Sequence, residues 1–327
     1  MTRESDLMVR ALEASAAARI DAPPNPWVGA LVLDEQGTVR GLGVTRPPGG
    51  PHAEVVALHE AGDAARGGTL VVTLEPCDHH GRTPPCTEAI IAAGIGHVVV
   101  GVRDPDAQVA GRGVARLREA GVDVTEGVMA DAVAEALAPY LWQRRTGRPW
   151  VVLKVAATLD GVVAAADGSS QWITGEEARA DAHRLRAESQ AILVGAGTVR
   201  ADDPTLTARL PGRTLEPLRV VLGTAPATAR VRPCWERSGP LEDILDELGG
   251  HGVLQVLVEG GPATASAFVG AGLVNRVVWY VAPALAGARN TLGALRDLST
   301  ASIDRLRRGH LIAVERLGED LRIEMEV

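Results

Sequence analysis

Cysteine is scarce in this chain. Its 327 residues include only three cysteines, at 77, 86 and 234, so no disulfide framework is implied. No apolar run approaches the length needed to span a bilayer, and no membrane partner is expected. There is no excess of positive charge. The net charge of −8 argues against a broad nucleic-acid surface, while leaving room for a local basic pocket that takes a phosphate. The N-terminus carries acids early and lacks the charged-then-apolar pattern of a leader, which points to the cytoplasm. There is no internal repeat, and no low-complexity tract beyond alanine richness. What remains, 46% apolar and 23% charged residues, is ordinary for a globular protein, and the length suggests about two domains.

Two of the three cysteines fall in the densest chemical stretch of the chain. It opens with Pro51-His52-Ala53-Glu54 and closes with Glu75-Pro76-Cys77-Asp78-His79-His80-Gly81-Arg82-Thr83-Pro84-Pro85-Cys86. One imidazole and two thiolates are donors that Zn²⁺ takes, and three protein ligands leave a fourth tetrahedral position for water, the layout of a catalytic site. Glu54, two residues after His52, is placed to move protons at that water. Zinc deaminases use His/Cys/Cys ligation with a non-ligand Glu in His-x-Glu, followed by Pro-Cys-x-x-Cys. Here eight residues, 78–85, separate the cysteines instead of two. The alternative is a structural zinc closed by His79 or His80, which leaves Glu54 without a role. Cys234 stands alone and reads as an ordinary free thiol.

Patterning around this stretch predicts a layered α/β domain. A helix is expected over 5–18 with Ser5 as N-cap, then a rigid turn at Pro23-Pro24-Asn25-Pro26 and a strand over 28–33. Residues 52–61 read as a helix with Val55, Val56 and Leu58 on its apolar face, and 69–74 as a strand ending at Pro76-Cys77. A helix over 87–93, a strand over 97–102, a helix near 113–120, a strand at 122–125 and one helix over 130–143 follow. Arg144 to Pro149 is polar and aperiodic and marks a boundary, giving domains at 1–145 and 150–327.

The second domain restarts with a strand over 150–158 and an Asp160-Gly161 turn. Thr174 is expected to cap a helix running to Ala187, with Glu177 completing a capping box. Strands are expected at 191–194, 218–222, 254–258, 276–281 and 321–327, with a loop at Gly195-Ala196-Gly197 and a polar turn at 200–204. Gly260-Gly261, at a strand-to-helix junction, lets backbone N–H groups approach a dinucleotide pyrophosphate, although the spacing is not the Gly-x-Gly-x-x-Gly fingerprint.

Several motifs together resemble the bifunctional deaminase–reductase family of riboflavin biosynthesis. In the first half these are Pro24-Asn25-Pro26-Trp27-Val28-Gly29, His52-Ala53-Glu54, Thr73 to Cys77, Pro84-Pro85-Cys86 and Val109-Ala110-Gly111-Arg112-Gly113. In the second they are Leu153-Lys154, Thr158 to Gly161, Ser170 to Thr174, Ala201 to Pro204 and Glu259 to Pro262. The long gap between the cysteines sets this pattern apart from cytidine and tRNA-adenosine deaminases. The resemblance implies a cytidine-deaminase-like three-layer αβα domain followed by a dihydrofolate-reductase-like α/β domain, with Zn²⁺ and NADPH as cofactors. It also implies a phosphorylated pyrimidine as substrate and a homo-oligomeric assembly. The first domain would hydrolyse the 2-amino group of 2,5-diamino-6-ribosylamino-4(3H)-pyrimidinone 5′-phosphate. The second would reduce the ribosyl group to ribityl.

Carried over by motif, Asn25, His79 and Arg82 would line the deaminase pocket around Glu54. Lys154, Ser170, Arg186, Leu206, Arg209 and Glu259 would serve the reductase substrate. Arg186 and Arg209 suit a sugar phosphate, while Lys154 and Asp202 are ionisable groups able to steer a proton. Ala157, Trp172, Thr198, Asp202, Thr224 and the turn containing Gly261, Pro262, Ala263 and Thr264 would meet NADPH. The chain departs from the family pattern at Gly223, where an Asp is usual, in the short stretch from there to Leu254, and at Asp106, where an Asn is usual. Two other readings stay open: a related enzyme acting on a modified pyrimidine, and a non-catalytic protein that binds zinc and dinucleotide.

Overall fold

The computed structural model describes residues 2–327 except 82, 288, 290 and 297. The chain divides into two compact units, Met1–Gly147 and Arg148–Val327. The first runs α1 (Arg3–Ser15), β1 (Gly29–Leu33), β2 (Val39–Val44), α2 (Ala53–Ala61), β3 (Thr69–Leu74), α3 (Cys86–Ala93), β4 (His97–Val102), α4 (Arg112–Glu119), β5 (Asp123–Glu126), α5 (Ala130–Ala136) and α6 (Ala138–Thr146). Its five strands form one sheet in the order β2-β1-β3-β4-β5. β1 is antiparallel to both neighbours, whereas β3, β4 and β5 are parallel. Near-continuous apolar runs such as Leu70-Val71-Val72 and Val98-Val99-Val100 are fully buried, as expected for strands covered on both faces.

Several local expectations change. Thr2 rather than Ser5 caps α1, its hydroxyl accepting the Ser5 N–H at 3.2 Å. The span expected as one helix over 130–143 is two, broken at Leu137. Pro139, two residues on, has no N–H to continue the first helix. In α2 the buried face is Ala53, Glu54, Ala57, Leu58 and Ala61, with Val55 and Val56 only half-buried. The cause lies in β2. A Cβ on Gly43 would sit 1.9 Å from the Ala53 carbonyl oxygen, and one on Gly41 would sit 2.1 Å from that of Ala57. Helix and strand backbones therefore touch, only an alanine face fits between them, and this seating turns Glu54 inward.

The second unit runs β6 (Trp150–Thr158), β7 (Val162–Ala164), α7 (Glu176–Ala187), β8 (Ala191–Gly195), α8 (Ala196–Asp202), β9 (Ala208–Leu210), β10 (Arg213–Leu215), β11 (Leu218–Leu222) and β12 (Trp235–Arg237). It continues with α9 (Leu241–Gly250), β13 (Gln255–Val258), α10 (Pro262–Gly270), β14 (Arg276–Ala282), β15 (Leu292–Gly293), β16 (His310–Leu317) and β17 (Asp320–Glu326). Its main sheet has the order β12-β11-β8-β13-β6-β14-β17-β16. The strands from β12 to β14 are parallel, while β17 and β16 are antiparallel. Leu153, Leu193, Val256 and Phe268 anchor the core.

Here too the caps differ from expectation. Gly175 is the N-cap of α7, and its N–H donates to Asp320 Oδ2 at 2.6 Å, while buried Thr174 gives its carbonyl to Arg179. A carboxylate from the start of β17 thus replaces the local capping box. Residues 196–202, expected as loop and turn, form α8. Gly223 sits at φ +96°, a backbone conformation that an Asp adopts only with strain, so the departure from the family pattern matches the local backbone.

Candidate active sites

In the first unit, three secondary-structure ends converge. His52 is the N-cap residue of α2, Cys77 follows the end of β3, and Cys86 opens α3. Their donor atoms lie within 4.8 Å of one another. His52 Nδ1 is 3.2 Å from Cys86 Sγ and 3.6 Å from Cys77 Sγ. Bonds of roughly 2.0–2.3 Å in a tetrahedral centre place sulfur and nitrogen ligands about 3.5 Å apart, so this donor set fits a zinc ion. Among the described residues, neither histidine of the alternative closed site joins the donors: His80 faces Glu88 at 3.3 Å, and His79 lines the adjoining cavity.

The electrostatics suit a cation and a proton carrier. The hydrogen bond with Cys86 holds the Cys77 thiol well below its usual range and pushes the Cys86 thiol up. The hydrogen bond with Cys77 raises His52 to about 8. Glu54 is 4% exposed. Burial pushes its carboxyl up, opposed by the His52 charge. A buried carboxyl whose pKa is raised is suited both to take and to return a proton beside a metal centre.

The centre opens into a cavity of about 270 Å³ whose lining includes Asn25, His79, Asp104, Asp106 and Arg144. His79 Nδ1 is buried with no protein partner among the described residues. Arg82, also expected here, lies outside the described residues. Part of the cavity wall depends on Glu75, a role that composition and spacing left blank. Its carboxylate accepts the N–H groups of Asp104, Gly111 and Val114 at 3.3, 3.0 and 3.2 Å. A carboxylate directly before Pro-Cys at a strand end was the available signal. Tyr140 donates to Asp104 Oδ2 at 2.9 Å. Asp106 accepts the Gln108 N–H at 2.9 Å through one oxygen and faces Arg144 Nε at 3.3 Å through the other. The first contact is one an Asn side chain also makes; the ion pair belongs to the Asp.

In the second unit, the residues expected to serve cofactor and substrate gather at the C-terminal ends of the parallel strands, where ligands of α/β sheets bind. Ala157 is buried near the end of β6, Thr198 and Asp202 lie in α8 after β8, and exposed Thr224 follows β11. Gly261, Pro262, Ala263 and Thr264 form the start of α10 after β13, where the Gly261 N–H donates to Thr198 Oγ1 at 2.9 Å. A Cβ on Gly260 would lie 2.4 Å from Thr264 Cβ. Both contacts are internal to the unit; the remaining first-turn N–H groups of α10 are the cradle it offers a phosphate group. Ser170 Oγ reaches Asp202 Oδ1 at 3.3 Å, and Trp172 is 69% exposed with Arg179 stacked 4.9 Å from its ring.

Beside this cradle, Arg186 grips Glu259 with two hydrogen bonds, Nε to Oε1 at 2.5 Å and a terminal nitrogen to Oε2 at 2.8 Å. Burial pushes the Glu259 carboxyl up, but the Arg186 charge and hydrogen bonds outweigh it and hold it below the usual range. Arg186 is thus engaged by a carboxylate, and exposed Arg209 is the freer cation. Buried Leu206 has φ +53°, a left-handed conformation uncommon for a branched side chain, and it leads into β9, which carries Arg209. Sequence reasoning missed His183, one turn before Arg186 on α7. Its Nδ1 accepts the Arg209 N–H at 3.2 Å. Partial burial and the Arg186 and Arg209 charges depress its pKa to about 4. Lys154, the chain's only lysine, lies on β6 in the same group. Desolvation lowers its pKa, with Glu259 opposing and Arg186 reinforcing the shift.

Comparisons with known proteins match both units. A family model described as the cytidine and deoxycytidylate deaminase zinc-binding region matches residues 1–102, and one described as the RibD C-terminal domain matches residues 149–322. The chain is 46% identical to riboflavin biosynthesis protein RibD of Mycobacterium tuberculosis, over 98% of this chain and 96% of that protein. It is 40% identical to RibD of Escherichia coli, over 90% and 92%. Among solved structures, Acinetobacter baumannii RibD superimposes with a TM-score of 0.92 at 35% identity, covering 99% of this chain and 98% of that one. A deaminase/reductase from Thermotoga maritima gives 0.89 at 35% identity, with the same coverage. Among the described residues no helix is long and apolar enough to cross a membrane.

Proposed function

Because the chain belongs to the RibD family of bifunctional deaminase–reductases of riboflavin biosynthesis, we propose that it carries out two consecutive reactions on one phosphorylated pyrimidine. The first is hydrolysis of the 2-amino group of 2,5-diamino-6-ribosylamino-4(3H)-pyrimidinone 5′-phosphate. The second is NADPH-dependent reduction of the ribosyl side chain to ribityl. The observation that carries this reading is the presence of both constellations on one chain: a three-donor metal centre with a buried carboxyl beside it, and a Lys154–Arg186–Glu259 group beside a backbone phosphate cradle. The division of labour follows the two units, with deaminase residues in 1–145 and reductase residues in 150–327.

In the deaminase, His52, Cys77 and Cys86 hold the zinc, which when bound activates water as a nucleophile at neutral pH. Glu54 carries the two protons of the attacking water in turn, one to the ring nitrogen and one to the departing amino group. Asn25, His79 and Arg82 hold the pyrimidine. In the reductase, the start of α10 with Ala157, Trp172, Thr198, Asp202 and Thr224 holds NADPH, which supplies the hydride. Arg209, with Arg186 behind it, binds the sugar phosphate. Ser170 and Leu206 shape the substrate cleft, Glu259 fixes Arg186, and Lys154 donates to the sugar oxygen that gains charge during reduction.

We also place the enzyme in the cytoplasm, where thiolate ligands stay reduced, and infer a homo-oligomer. The outermost strand β16 supports the assembly. Leu311 and Val314 on it are more than half exposed, an edge that proteins usually cover. Incubating zinc-loaded protein with the diaminopyrimidinone ribosylamine phosphate, with and without NADPH, tests the function by mass spectrometry. Deaminated product without NADPH and deaminated, reduced product with it are expected. Absence of turnover in both arms overturns the proposal.

A further inference from the structure

Lys154 sits in the reductase group without the partners that usually hold a lysine. Among the described residues its ammonium has no hydrogen bond or ion pair. What it does have is a ring. Nζ lies 5.8 Å from the centroid of Tyr280, which is 1% exposed. The two residues come from adjacent parallel strands, with Val278 of β14 paired to Lys154 of β6 and Tyr280 to Ala156. An aromatic face attracts a cation through its quadrupole. Unlike a carboxylate, it leaves the three ammonium N–H donors free for a ligand.

The ring is itself fixed from the far side. The Tyr280 hydroxyl donates to Asp181 Oδ2 at 2.6 Å. Arg322 Nε faces the same oxygen at 3.1 Å, and Arg184 binds the other oxygen at 2.6 and 2.9 Å. Arg322 is in turn paired to Glu324 at 2.6 Å, and Glu324 to Arg276 at 2.9 Å. Tyr280 joins this charged network to the reductase group. A buried tyrosine needs only one partner for its hydroxyl; a network of this extent does more, because it stops the ring from turning or sliding under the ammonium.

We propose that Tyr280 is a positioning residue for the reductase: its ring face holds the Lys154 ammonium toward the substrate with its donors unspent, and Asp181 with Arg322 locks the ring. The proposal rests on the reading above that Lys154 serves the reduction. Because the chain has a single lysine, reductive methylation with ¹³C-formaldehyde labels that side chain and the α-amine only, so the contact can be observed apart from activity. The dimethyl-lysine resonance is expected upfield of its free position in the full-length protein, retained in Tyr280→Phe and lost in Tyr280→Leu. Unmethylated protein should follow the same order. Tyr280→Leu should lose roughly tenfold in reductase kcat/KM with NADPH affinity unchanged, as expected for loss of a desolvated cation–π contact. Tyr280→Phe should stay within about threefold.

A resonance at its free position in the unmutated protein overturns the contact. Equal losses in Tyr280→Phe and Tyr280→Leu overturn the role of the ring; if the leucine variant does not fold, a roughly tenfold loss in Tyr280→Phe, which keeps the ring, overturns it. Full reductase activity in Lys154→Gln, with the upfield resonance still present in the parent, overturns the assignment of Lys154 to the reduction while leaving the ring contact measured.

Discussion

The two sites solve different problems, and their layouts differ accordingly. The metal donors come from one stretch, His52 to Cys86, at the ends of three consecutive elements, and Glu54 beside them is almost entirely buried. The reductase group draws on β6, α7, α8, β9, the ends of β11 and β13, and β14, and several members, among them Arg209, Asp202 and Thr224, are exposed. A metal ion tolerates errors of only tenths of an ångström, so its ligands must be set by short, rigid connections. A dinucleotide and a sugar phosphate spread over a sheet edge, where each contact contributes a part. The enclosed centre should therefore fail all at once on a small change, and the open site by degrees.

Glu54→Gln tests the first half of that contrast and should have the largest effect. The amide fills the same space but cannot shuttle a proton, so deamination should fall by about 10²–10⁴. Zinc content, measured by elemental analysis, should be unchanged, and so should reduction of pre-deaminated substrate. A variant that keeps full deamination would remove Glu54 from the chemistry.

Arg209→Ala tests the second half. Arg209 is exposed and makes only a 3.2 Å contact to Thr207 Oγ1 among its described side-chain bonds, so its loss should leave the fold intact. One charge-assisted contact to phosphate is worth about 1.5–3 kcal/mol, so the reductase KM should rise roughly 10- to 100-fold with kcat little changed. A dephosphorylated substrate, already poor, should show no further loss. An equal rise for both substrates would mean that the phosphate lies elsewhere.

The same contrast governs what was legible in the residues. Strands over 69–74, 150–158 and 218–222 match their expected bounds because each is a buried run in a covered sheet, where apolar patterning and position agree. The clustering of His52, Cys77 and Cys86 was readable because ligand type and spacing are themselves the chemistry. The α2 face was not, since an alanine stripe is set by glycines on a neighbouring strand rather than by its own hydrophobicity. Nor was the α7 cap, which Asp320 supplies from across the chain. Tyr280 and His183 carry no local signal; each acquires a role only when the sheet brings β14 beside β6 or packs α7 against β9. Long-range partners are the part of a site that a linear reading does not reach, and the reductase contains more of them.

Asp181→Asn addresses the support behind the open site and should give the smallest effect. Burial pushes the Asp181 carboxyl up, but the Tyr280 and Arg184 hydrogen bonds and the Arg184 and Arg322 charges outweigh it, so its pKa lies below the usual carboxylate range. A carboxylate depressed in the folded state adds stability above its unfolded value, about 3.9. That stability is lost as pH falls through the lower folded value. The parent protein should therefore lose stability progressively below about pH 4. Asp181→Asn should start less stable at neutral pH and show a shallower acid limb, because the amide has no proton to take up. Guanidinium midpoints followed by circular dichroism from pH 7 down to pH 3 would measure both curves. Parallel curves would mean that the Asp181 charge adds no stability to the network, and that the hydrogen bonds an asparagine can still make suffice to hold Tyr280.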